Sequence, residues 1–135
     1  MALTGLLSGW IGIGLGAALG ALLRWHLGLW LNPVFPTLPL GTLAANLIGG
    51  LLIGLITEYA ALNAAFPPAL RLAAITGFLG GLTTFSTFSA ENVGLLLNRE
   101  FGWSLAHIGA HLLGSLAMTA TGIFVVRLLA SRSVS

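Results

Sequence analysis

Cysteine, lysine and aspartate are absent from this chain, and charge of either sign is scarce. Without cysteine there is no disulfide, no thiolate metal site and no cysteine nucleophile. The charged side chains are five Arg and three Glu, 6% of the 135 residues. A soluble domain carries roughly 25% charged residues, so this chain cannot cover its own surface in water. The Arg are scattered singly rather than clustered, which leaves nucleic-acid binding without support. HExxH and Gly-x-Ser-x-Gly are missing, so an intramembrane hydrolase lacks its motifs and the chain does not read as an enzyme. What abounds is apolar surface: 57% hydrophobic residues and a mean hydropathy of +1.03. The composition is that of an integral membrane protein.

A membrane crossing takes about 20 apolar residues. Four stretches qualify, at about 3–31, 40–62, 69–97 and 102–130, and together they make a single transmembrane domain over 1–135. The connections are short and carry all five prolines: 32–39, 63–68 and 98–101. The N-terminal stretch lacks a basic region and stays apolar beyond signal-peptide length, so it reads as the first span. Gly12, Gly16 and Gly20 repeat every four residues along it, a spacing that lets helix backbones approach closely.

Span three is unlike the others. Gly80-Gly81 weakens its helix by roughly 1 kcal/mol per Gly relative to Ala. Five hydroxyl side chains follow within seven residues: Thr83, Thr84, Ser86, Thr87 and Ser89. In lipid, a broken helix persists only where protein or a water-filled cavity satisfies the freed backbone groups. A Gly-interrupted span is the best sequence pointer to an ion or substrate site. The reading is two half-helices meeting near Gly80–Thr83. The first ends in carbonyls that favour a cation, and the second begins with N–H groups that favour an anion. Thr83 or Thr84 suits its N-cap.

Polar groups in the other spans sit where they can face this break. Asn46 lies well inside span two, on one face with Thr42, Gly50 and Gly54. Its amide either bonds a neighbouring helix or lines a pore as an N–H donor. Phe85 and Phe88, three apart, share a face as core aromatics or as ring edges toward an anion. Glu91 is an intramembrane carboxylate, paired or functional. Span four carries one polar stripe of Ser104, His107, His111, Ser115 and Thr119. The two His read as interhelical hydrogen-bonding groups, because no carboxylate or thiol stands at metal-ligand spacing beside them. Ser115 and Thr119 are placed to line a path. Arg24, late in span one, either snorkels to the interface or faces a wet vestibule.

Arg71, Arg127 and Arg132 lie toward one side of the membrane, and Arg24 and Arg99 toward the other. Orientation follows a clear Arg/Lys bias, and three against two supplies almost none. A chain of this kind is a candidate for inserting both ways round and pairing with an opposed copy.

The run Gly77-Phe-Leu-Gly-Gly-Leu-Thr-Thr-Phe-Ser-Thr-Phe-Ser89 resembles the signature of the Fluc, or CrcB, fluoride channels. Gly-Thr-Leu-Ala-Ala-Asn at 41–46, Leu-Arg-Trp at 23–25 and Gly-Ser-Leu-Ala-Met-Thr at 114–119 extend the match through all four spans. The resemblance implies a passive fluoride exporter of the bacterial inner membrane. It implies an antiparallel, dual-topology homodimer of four-helix subunits. It also implies a structural, untransported Na+ held by the main-chain carbonyls of Gly80 and Thr83. The pore residues it implies are Asn46, Phe85, Phe88, Thr87, Ser115 and Thr119, with Arg24 in the vestibule and Glu91 on the polar track. A small dual-topology multidrug or proton-coupled exporter is the rival. Such a carrier wants a deep carboxylate for proton coupling, and span one has none while Glu91 lies past the break.

Overall fold

The computed structural model describes residues 2–132, with side chains from residue 9 onward. Helix α1 is Ala2–Leu31, and a short 3-10 turn, Asn32–Val34, follows it. Helix α2 is Leu40–Leu62. Asn32 ties the loop to its start, its Oδ1 accepting the Gly41 N–H at 2.8 Å. Helix α3 runs over 68–82, with Pro68 in its first turn, where a missing N–H costs nothing. Its middle, Ala73–Leu79, is wound as a π-helix. Helix α4 is Phe85–Leu97 and helix α5 is Phe101–Arg132. The turn between them is closed by Arg99, in the left-handed region at φ 61°.

These helices supply four apolar segments long enough to cross a membrane, with α3 and α4 together making the third. At about 1.5 Å per residue, even the 23-residue second segment exceeds a hydrocarbon core about 30 Å thick. Most large apolar side chains point outward, among them Trp10, Leu15, Leu19 and Leu113. The buried apolar centre is small: Ala45, Leu79 and Leu82, with Leu27, Leu52, Ile53, Ile56 and Phe78 around them.

Close backbone contact, rather than bulk, joins the helices. The glycine repeat of α1 lies against α3. A Cβ added at Gly16 would stand 2.8 Å from the Phe78 nitrogen, and one at Gly81 would stand 2.9 Å from the Ala17 Cα. Helices α2 and α5 meet in the same way: a Cβ at Gly122 would stand 2.8 Å from the Leu55 nitrogen. In lipid the association of helices rests on such packing. The ends of α2 and α5 are also joined by the Arg127–Glu58 ion pair at 2.8 Å.

The third span is broken, as its sequence predicts, but not at the glycines. Gly80 and Gly81 are helical, with Gly80 at φ −62°, ψ −35°. The chain leaves the helix at Thr83 (φ −81°, ψ 154°) and Thr84 (φ −152°, ψ 120°). The smallness of Gly81 serves the contact with α1. The extended pair is held instead by the Asn46 side chain of α2, which pairs with the Thr84 backbone.

Candidate functional site

The break creates two helix ends inside the bundle, and each is answered by particular groups. Thr84 is the N-cap of α4, its Oγ1 accepting the Thr87 N–H at 3.1 Å. The same hydroxyl donates to Thr87 Oγ1 at 3.0 Å. Asn46 reaches across from α2 and pairs with the Thr84 backbone in both directions. Its Oδ1 accepts the Thr84 N–H at 2.8 Å, and its Nδ2 donates to the Thr84 carbonyl at 3.0 Å. The second proton of that amide points to His111 Nδ1 at 3.1 Å.

These bonds decide which carbonyls the break frees. In a continuous helix the Thr84 N–H would bond the Gly80 carbonyl, and the Thr87 N–H the Thr83 carbonyl. Asn46 and the Thr84 hydroxyl take those two donors instead. The Gly81 carbonyl receives Arg24 Nε at 3.1 Å, and the Leu79 carbonyl receives both Thr83 N and Thr83 Oγ1. Gly80 and Thr83 are thus among the break residues whose carbonyls lose their helical donors.

A groove of about 500 Å³ runs beside the break. Its walls bring together seven of the sequence-predicted site residues: Asn46, Gly80, Thr83, Phe85, Phe88, Ser115 and Thr119. The rings of Phe85 and Phe88 lie 5.5 Å apart, and Phe85 is 80% exposed on the single chain. Thr119 donates its hydroxyl back to the Ser115 carbonyl at 2.9 Å. Thr87, Glu91 and Arg24 do not line the groove. Thr87 is turned toward the cap, and Arg24 lies against the end of α3.

Glu91 belongs to a second cluster, with His107 and His111, packed against Phe88. Its Oε1 accepts the Thr42 hydroxyl at 2.5 Å, and its Oε2 lies 3.4 Å from His107 Nε2. Phe88 lies over His107 at 5.1 Å and beside His111 at 4.7 Å between ring centroids. No carboxylate stands at metal-ligand spacing along the sequence of α5, yet the fold brings Glu91 beside the two His. Glu91, His107 and His111 each offer a ligand atom within 4.8 Å of the others, a set that could coordinate a cation. The carboxylate comes from α4, a different helix, so spacing along α5 gives no sign of it. Sequence reasoning also passes over Thr84 as the partner of Asn46. It misses Asn92, whose buried Oδ1 accepts the Ser104 hydroxyl at 3.1 Å.

Fold and site together define a multi-pass membrane protein organised around a discontinuous third span. The family described as "CrcB-like protein, Camphor Resistance (CrcB)" matches residues 11–123, and the chain belongs to it. It is 64% identical over 118 residues to "Fluoride-specific ion channel FluC" of Nitrosospira multiformis, covering 87% of this chain and 92% of that one. Proteins of the same name from Cupriavidus necator and Burkholderia cenocepacia are 53% and 55% identical. Those matches cover 90% and 87% of this chain, and 97% and 91% of the relatives.

Proposed function

We propose that this chain is a fluoride-selective channel of the bacterial inner membrane that lets fluoride leave the cytoplasm passively. The observation that carries the reading is the convergence of Asn46, Phe85, Phe88, Ser115 and Thr119 on one groove beside the break. Fluoride is small and strongly hydrated, so a path must replace its water with donors. Hydroxyls and an amide are such donors, and aromatic rings present positive edges. A row of individually weak sites lets the ion enter without being held. The names of relatives 50–64% identical to this chain supply the ion.

The working unit in this reading is an antiparallel homodimer. The three-to-two Arg balance supports mixed insertion. The exposed Phe85 ring and the open side of the groove suit cover by an opposed copy. A structural Na+ then sits where two breaks meet, held by the carbonyls of Gly80 and Thr83. What supports that site is the diversion of their helical donors to Asn46 and Thr84. Hard cations prefer such oxygen ligands. Thr87 and Glu91 flank the path, and Arg24 draws anions toward the vestibule while holding the Gly81 carbonyl.

Fluoride efflux from proteoliposomes, with chloride as the control ion, tests this function. The expected result is rapid fluoride loss without a proton gradient and no chloride loss. Efflux that requires a proton gradient would instead mark a coupled exporter.

A further inference from the structure

Among the described residues, four buried side-chain polar atoms lack a hydrogen-bond partner in the protein. They are Glu91 Oε2, both ring nitrogens of His107, and His111 Nε2. All belong to one cluster, and its two histidines are 2% and 5% exposed. Two of them, Glu91 Oε2 and His107 Nε2, face each other at 3.4 Å without hydrogen-bond geometry, and native interiors leave few such atoms unsatisfied. We propose that Glu91, His107 and His111 form a site for a borderline transition-metal ion, of which Zn2+ is the type, and that its occupation stops ion flow past Phe88. The flow-stopping half rests on the channel reading; the binding half does not.

The donor set argues for this class of ion. Two imidazoles and one carboxylate form a zinc-type ligand set, whereas hard cations take oxygen alone. Ligands about 2.0–2.1 Å from a tetrahedral zinc ion lie about 3.3–3.4 Å from each other. The Glu91 Oε2 to His107 Nε2 separation is already 3.4 Å. His111 closes to that spacing from within the 4.8 Å limit of the cluster. Phe88 and His111 both line the groove, which gives the ion a way in.

The surroundings of His111 argue that the ion is an inhibitor rather than a resident. Its Nδ1 faces the Asn46 amide nitrogen at 3.1 Å, so it serves as the acceptor and the proton stands on Nε2. A metal on Nε2 displaces that proton and puts one on Nδ1, facing the amide N–H. Asn46 must then turn, and its paired bonds to Thr84 are lost. Three protein ligands also leave a fourth position on the metal. There a passing fluoride is held rather than released, the opposite of what conduction needs.

The test uses the full-length protein reconstituted in lipid, with Co2+ as a spectroscopic probe and Zn2+ as its competitor. The expected result is a tetrahedral Co2+ absorption band, saturating at a single ion per subunit and erased by Zn2+. H107Q and H111Q, each checked for the assembly state of the parent, should weaken binding by at least about tenfold, in line with losses seen when metal surroundings are altered. H26Q, which changes the remaining histidine on α1, should bind as the parent does. Micromolar Zn2+ should cut fluoride efflux at least fivefold in the parent, and not in H107Q or H111Q, each compared with its own metal-free rate. The proposal is overturned by a parent that gives no Co2+ band, by H107Q/H111Q binding that equals the parent's, or by Zn2+ binding without loss of flux. If the parent passes no fluoride at all, the channel reading and the flow-stopping half fail together, while the Co2+ band still decides the site.

Discussion

Asn46 and Thr84 are tied to each other twice, at 2.8 Å and 3.0 Å, across the gap between α2 and the break in span three. One amide thereby satisfies both backbone groups of a residue that has left the helix. It also takes the donor that the Gly80 carbonyl would otherwise receive. The break is imposed from α2 rather than by local helix weakness, since Gly80 and Gly81 keep helical geometry.

Asn46→Ala should therefore damage the fold and the path together. It leaves the Thr84 N–H without its partner, at about 1–3 kcal/mol, and takes the side-chain donor from the Thr84 carbonyl. The expected outcome is a lower unfolding temperature in detergent and loss of fluoride efflux. Asn46→Asp keeps an acceptor for the Thr84 N–H but no donor for its carbonyl. It should retain more stability than Ala while conducting poorly, because it adds negative charge to an anion path. An Ala variant as stable as the parent would contradict the role given to this pair.

Gly80 and Gly81 should respond differently to a methyl group. A Cβ at Gly81 would stand 2.9 Å from the Ala17 Cα, so Gly81→Ala should impair folding of the subunit itself. A Cβ at Gly80 would meet only the Ile75 carbonyl, at 3.9 Å. A loss of dimer or Na+ binding in Gly80→Val beyond the local helix cost of a β-branched residue then points to the place where two subunits and the proposed Na+ meet. The expected outcome is a folded chain with weakened dimerisation and Na+ binding, read by crosslinking and by Na+-dependent thermal stability. Thr83→Ser should bind Na+ nearly as the parent does, because the proposed ligand is its backbone carbonyl. Flux should need no Na+ gradient. An unchanged, active Gly80→Val dimer would contradict the site.

Much of this was legible in the sequence, and the limits have physical causes. The four spans follow from apolar length, and their predicted bounds differ from the helices by at most two residues at any end. The glycine repeat of α1 marks one face for close helix approach, but not its partner, which the structure shows to be α3. The break was expected near Gly80–Thr83 and falls at the end of that stretch, where Thr83 and Thr84 are extended. Glycine signals weakness, but the place where a chain departs from helix is set by which partner captures its backbone. The meeting of Glu91 with His107 and His111 was not legible. It depends on how far α4 and α5 slide past each other, and neither helix's own periodicity records that.

Orientation gives an independent prediction. With Arg nearly balanced between the two sides, the chain should insert both ways round. Single Cys residues introduced between Asn63 and Pro68 should be labelled from both membrane faces in cells. Several Lys added at one end should force one orientation, and function should return only with an oppositely biased copy. Labelling from one face alone would contradict the antiparallel pair.

The central claim is that fluoride passes along the groove beside the break, against the rings of Phe85 and Phe88. Its most direct test is the initial rate of fluoride efflux from liposomes carrying Phe85→Ile or Phe88→Ile, with dimer stability measured alongside. A merely packed ring accepts an aliphatic residue at a cost usually below about 1.5 kcal/mol. A ring that meets the anion supplies a polarised edge that isoleucine lacks. The account predicts Ile variants that assemble as the parent does yet pass fluoride at least about tenfold more slowly. Both variants conducting at the parent rate would contradict it, and the path would then have to run by Asn46, Ser115 and Thr119 alone.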